Sequence, residues 1–235
     1  MEANAGQPNR ASAIATGWIA LWLLAPTALC DTSGLNNIPT ADTTPDRTIV
    51  FQFKPVFGDE MHSQYFAGFK MGLEPLGQRF EWGVDGQVGV GSIGEDAGPA
   101  VLQFKVALDL TETTALGLGV ANIGLREQDR HDIGQPFKYA VFSLDFGSFR
   151  AHAGYGLQQD GNTALIGLDT TVELFDRDLM LRTDLVQIDD EDQWLGSLGF
   201  IYFIDEHFAL ESWVSQPFEH GEPSFTIKLN FMIPF

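Results

Sequence analysis

The chain has 235 residues, 44% of them apolar, with 25 Gly and 19 Phe, enough for one substantial domain. Thirty-two acids against 13 Lys and Arg give a formal net charge of −19. Such a surface is repelled by a duplex, so a nucleic-acid partner is excluded. Mean hydropathy of −0.02 excludes nothing, because only every second residue of a transmembrane strand faces lipid.

Residues 1–30 have the layout of a cleaved signal peptide. Arg10 and the α-amino group make a weakly positive start, and residues 11–29 carry no charge. Ala28-Leu29-Cys30 then resembles a small-x-small cleavage site before Asp31. The apolar run is also long enough for a retained anchor. Lipidation at Cys30 is the third option, disfavoured because Leu29 stands where a small residue is expected. Cys30 is the one cysteine, so the mature chain is expected to have no disulfide and no thiolate metal site. No later stretch is as long and apolar as a transmembrane helix. Any membrane role therefore falls to strands.

A polar lead follows at 31–47, read either as a periplasmic segment or plug at the barrel mouth, or as disordered chain. Twelve alternating segments come next, at 48–57, 63–74, 80–91, 100–111, 115–125, 136–146, 149–158, 164–174, 179–188, 194–204, 208–218 and 225–235. Each is about ten residues long, the length a tilted strand needs to cross a bilayer. An even count returns both ends of the barrel domain, 48–235, to one side. Odd connections such as "REQDRHDIGQ" are on average longer than even ones such as "ETT" and "GS". That asymmetry assigns the odd set to the outside and the even set to the periplasm. Phe80, Phe146, Phe149, Phe203, Phe208 and Phe235 then flank the short-turn side as an aromatic girdle.

A soluble sandwich or lipocalin-like barrel is the competing all-β architecture. Segment 100–111 places Leu102, Phe104, Val106, Leu108 and Leu110 on one face, with Gln103, Lys105, Ala107 and Asp109 on the other. The polar faces carry too many charges for a closed soluble core. The predicted fold is an antiparallel up-and-down transmembrane β-barrel of about twelve strands. Alternation weakens in 136–146 and 208–218, where bulges are expected.

The chain ends "FTIKLNFMIPF", with Phe231, Ile233 and Phe235 in alternation. This resembles the C-terminal signal of bacterial outer-membrane β-barrels, which implies recognition by the outer-membrane assembly machinery. It also implies a Gram-negative outer membrane, with its lipid and lipopolysaccharide, as the location. At the other end, Gly34, Leu35, Pro39, Thr40, Ala41, Pro45 and Asp46 in "GLNNIPTADTTPDR" resemble the start of YjbH-type outer-membrane proteins linked to exopolysaccharide export. Arg47 departs from the Gly expected there. That resemblance implies polysaccharide-export partners.

The lumen is expected to be lined by Lys54, Lys70, Glu81, Asp85, Lys105, Asp109, Arg150, His152, Asp169, Arg182, Asp184, Glu211 and Lys228. Either these line a narrow passage or they pair into a network that only stabilises the barrel. Acids concentrate in the odd loops, among them Asp129, Asp132, Asp189, Asp190, Glu191 and Asp192, against Arg126 and Arg130. No EF-hand spacing is present, and no cofactor or metal site is expected. His152 is the one histidine on the lumen face, with Arg150 as neighbour and no evident nucleophile, so catalysis is not expected. The expected function is a narrow porin-like channel for small polar or charged solutes, with modest cation preference. A non-conducting structural or export-accessory barrel is the alternative, and an outer-membrane hydrolase a poorer one.

Overall fold

The computed structural model of the protein describes residues 33–58, 63–88, 98–133, 135–158, 161–188, 193–219 and 221–235. The signal-peptide reading of residues 1–30 lies outside them. The strands are β1 (Thr48–Gly58), β2 (Gln64–Leu73), β3 (Arg79–Gln87), β4 (Ala100–Thr111), β5 (Thr114–Gly124) and β6 (Phe137–Asp145). They continue as β7 (Arg150–Gln158), β8 (Gly161–Leu174), β9 (Arg177–Ile188), β10 (Gln193–Phe203), β11 (Phe208–Pro217) and β12 (Ser224–Pro234). Each pairs antiparallel with its neighbours in sequence, and β1 pairs with β12 from Thr48↔Pro234 to Gly58↔Ser224, closing the barrel. The Phe235 N–H donates to Arg47 O at 2.8 Å, tying the two ends of the barrel domain together at the short-turn rim.

Period-two alternation dictates which side chain sees lipid, and burial follows it in the inverse sense to a soluble protein. Leu198 is 70% exposed on the outside, whereas Arg182 is 2% exposed and Lys105 and Glu81 are 1% exposed on the inside. A charged interior and an apolar exterior suit a wall standing in hydrocarbon. The soluble alternatives fail on this point.

Three local expectations need correction. The 136–146 and 208–218 segments pair in continuous register. Alternation there is blurred because Tyr139, Val141 and Trp213 are large side chains buried inside the lumen. The register shifts lie instead between β4 and β5, at Leu102/Phe104 and Asp109/Thr111, and nearby Asn122 has φ 57°, the positive value common at bulges. Phe203 does not join the girdle, since it lines an internal cavity. Phe146 and Phe149 do stack on the outside at the short-turn rim, 4.9 Å between ring centroids.

The connection between β5 and β6, on the long-loop side, contains a short helix, α1 (Glu127–Ile133). The lumen is not wholly polar. Val101, Ala121, Tyr139 and Val141 form one apolar cluster, and Leu35 and Ile38 join Leu165 and Val186 in another. Two members of the second cluster come from the lead that precedes the barrel.

Candidate functional site

Residues 33–47 run inside the barrel. The Leu35 N–H donates to Ile38 O at 2.9 Å, and Gly34 bridges Pro39, so the chain makes a tight hairpin turning at Asn36-Asn37. Asp184 on β9 receives its tip: Asn36 N–H at 2.8 Å, Asn37 N–H at 2.9 Å and Asn37 Nδ2 at 3.3 Å. Asn37 Nδ2 also reaches Ser215 Oγ at 3.0 Å, near the long-loop end of β11. Glu81 on β3 closes the base. It accepts from Ser33 N (2.8 Å) and Ser33 Oγ at one end of the loop, and from Thr44 N (2.7 Å) and Thr44 Oγ1 (2.8 Å) at the other. Both carboxylates satisfy backbone amides that lumen burial would otherwise strand.

Two glycines let the segment lie this close. A Cβ at Gly72 would collide with the carbonyl oxygens of Thr44 and Pro45. One at Gly167 would strike the side chains of Leu35 and Ile38. Gly167 therefore shapes the socket into which the apolar turn of the hairpin fits.

The wall charges are paired chiefly between adjacent strands, because cross-strand partners share a face. Glu81 and Lys105 are register partners 3.7 Å apart. Glu211 and Lys228 are register partners at 2.9 Å, and Arg182 reaches over β10 to the same Glu211 at 2.8 Å. Arg150 binds its register partner Asp169 at 2.7 Å and reaches Asp42 of the inner segment at 2.9 Å. Gln52 donates to Asp85 at 3.1 Å. Lys54 lies 5.0 Å from the Phe66 ring centroid. Asp109 stands apart from the group, exposed at the short-turn rim and paired with Arg79.

The expectation that His152 has no nucleophile beside it is overturned. Ser143 Oγ lies 2.8 Å from His152 Nδ1, and His152 Nε2 lies 3.0 Å from Asp169 Oδ2. The order Ser–His–Asp is that of a charge-stabilised nucleophile. However, Ser143 Oγ accepts the Ala41 N–H at 2.9 Å, and neither Ser143 nor His152 lines the cavity at the short-turn end of the lumen. With its serine covered by the inner segment, the relay joins wall to segment. The signal for it was legible: the tight turn between β6 and β7 sets Asp145 opposite Arg150 and so Ser143 opposite His152.

A cavity of about 370 Å³ lies at the short-turn end of the lumen. Its floor and walls include Lys70, Arg150, Asp169, Arg182, Glu211 and Lys228, and its roof includes Ser33, Gly34 and Asp42–Pro45. Alternation marks the charged lining residues but not Asn36 or Asn37, since nothing in their local pattern marks contact with a wall far away in sequence.

At the opposite rim, Asp129 on α1 is buried and binds Arg126 Nη2 at 2.6 Å. Hydrogen bonds from that guanidinium hold its carboxyl below the usual aspartate range. The loop tie therefore persists until pH falls through that lowered value. Asp189, Asp190, Glu191 and Asp192, and the side chain of Asp132, lie outside the described residues. Phe231, Ile233 and Phe235 point outward on and just after β12, 45%, 39% and 59% exposed.

No protein-family model matches the chain, and no curated protein matches it. Solved structures do. A KdgM porin aligns with TM-score 0.55 at 7% identity, covering 77% of this chain and 98% of that one. The same porin in complex with disordered oligogalacturonate aligns with TM-score 0.55 at 8% identity over the same shares. A NanC porin aligns with TM-score 0.52 at 12% identity, again covering 77% and 98%. The chain thus has the closed-barrel fold of bacterial outer-membrane porins.

Proposed function

We propose that the protein is a narrow outer-membrane channel for small polar or charged solutes, constricted by its own residues 33–47. The observation that carries this reading is the seating of that segment in the lumen of a porin-fold barrel, anchored by Glu81 and Asp184. Twelve strands tilted by about 40° enclose a backbone radius on the order of 12 Å, and the segment divides that bore. Wall charges largely neutralise one another in pairs, so the acidic long-loop rim sets the sign of selectivity. Cations are concentrated there and anions repelled, giving a modest cation preference that salt screens.

Reversal potential across a potassium chloride gradient tests both parts, with the protein in a planar bilayer. Discrete steps with cation preference are expected, weaker at high salt and weaker when Asp189–Asp192 are replaced by Asn or Gln. Anion preference in the unaltered chain sinks the selectivity reading. Absence of any conductance at all voltages favours the second reading, a non-conducting export-accessory barrel. What supports that alternative is that the residues resembling YjbH-type proteins, Gly34 to Asp46, are those seated in the lumen.

A further inference from the structure

Among the described residues, Lys70 is a wall cation without a close ion pair of its own. It is 7% exposed and lines the short-turn cavity, and its charge acts on Glu81 and Glu211 without a direct hydrogen bond to either carboxylate among the described residues. The neighbouring carboxylates are already engaged: Glu81 by Lys105, Ser33 and Thr44, and Glu211 by Arg182, Lys228 and Asn230. Across the cavity, Arg150 is shared between Asp42 and Asp169. The lining therefore holds four cations, Lys70, Arg150, Arg182 and Lys228, against three carboxylates, Asp42, Asp169 and Glu211. A buried ammonium that shares its neighbouring carboxylates with other cations, and has no acceptor of its own, is costly to maintain. An anion in the adjoining space removes that cost.

We propose that this cavity binds a small organic monocarboxylate, its carboxylate on Lys70. One surplus positive charge calls for one negative charge. The volume, about 370 Å³, falls within the range of small-molecule pockets. Val50, Met180, Ile201 and Met232 line the same space, and they suit a short carbon skeleton better than a bare inorganic ion. The site lies at the short-turn end, so the solute reaches it from the side opposite the acidic loops. Nothing in this inference requires that the barrel conduct.

The test is saturation-transfer NMR on the full chain in zwitterionic detergent, with propionate and its uncharged isostere propionamide as probes. Propionate should give a saturable signal and propionamide should not. Lys70→Met should weaken propionate at least tenfold, while Lys70→Arg retains it. Equal signals from the two probes, no saturable propionate signal, or unchanged propionate affinity in a folded Lys70→Met chain would each overturn the assignment. If Lys70→Met does not fold, the comparison of the two probes on the unaltered chain still decides.

Discussion

Asp184 and Glu81 hold the inner segment by different means, and their substitutions should differ accordingly. Asp184 has neutral donors only: two backbone amides, an Asn side chain and Ser197 Oγ at 2.6 Å. Asp184→Ala should free the hairpin tip while leaving the strands paired. Loss of amide bonds to a charged acceptor is worth about 3 kcal/mol, so amide exchange at Asn36 and Asn37 should accelerate roughly 100-fold. Hydrogen exchange by NMR reads this directly, with β9 amides as the control. Unchanged exchange at Asn36 and Asn37 would remove Asp184 as the anchor. Glu81 in addition carries the buried Lys105. Glu81→Gln should destabilise the whole barrel by about 3–5 kcal/mol, because a buried ammonium loses its counterion. Chemical denaturation in micelles measures that.

At the level of elements, strand positions were legible because lipid outside and charge inside impose one unbroken period of two. Each of the twelve strands falls within about three residues of its expected bounds, except that β3 ends at Gln87, four residues short. The failures share one cause. Alternation reports which side a residue faces, but not what lies against it. Tyr139 faces inward in an apolar cluster and Trp213 inward opposite Gly199 and Thr226, and so both mimicked irregular strands. Phe203, expected in the girdle, faces the cavity because it shares parity with Ser197 and Ile201 on β10. The last strand supports a prediction of its own. Phe235 is 59% exposed and ties its N–H to Arg47, and we propose that its ring serves assembly and the lipid interface. Deleting it should sharply lower outer-membrane levels in cell fractionation. Undiminished levels would detach the C-terminal strand from assembly.

For the molecule as a whole, the barrel could be derived from sequence and its contents could not. The lead at 31–47 reads as polar loop because Pro39, Pro45 and a run of Asn, Thr and Asp break any period. Its seat depends on Gly72 and Gly167, which sequence alone shows only as empty space on the lumen face. Similarly, sequence left open whether the wall charges line a passage or pair into a network, and Glu81–Lys105, Arg150–Asp169 and Glu211–Lys228 pair between neighbouring strands. These pairs leave the central bore to the inner segment. Single-channel conductance of the intact chain against one lacking residues 33–44 tests that claim most directly, with strand content checked by circular dichroism. Small steps are expected for the intact chain and a several-fold larger conductance once the segment is gone. Equal conductance from two equally folded barrels would contradict the claim.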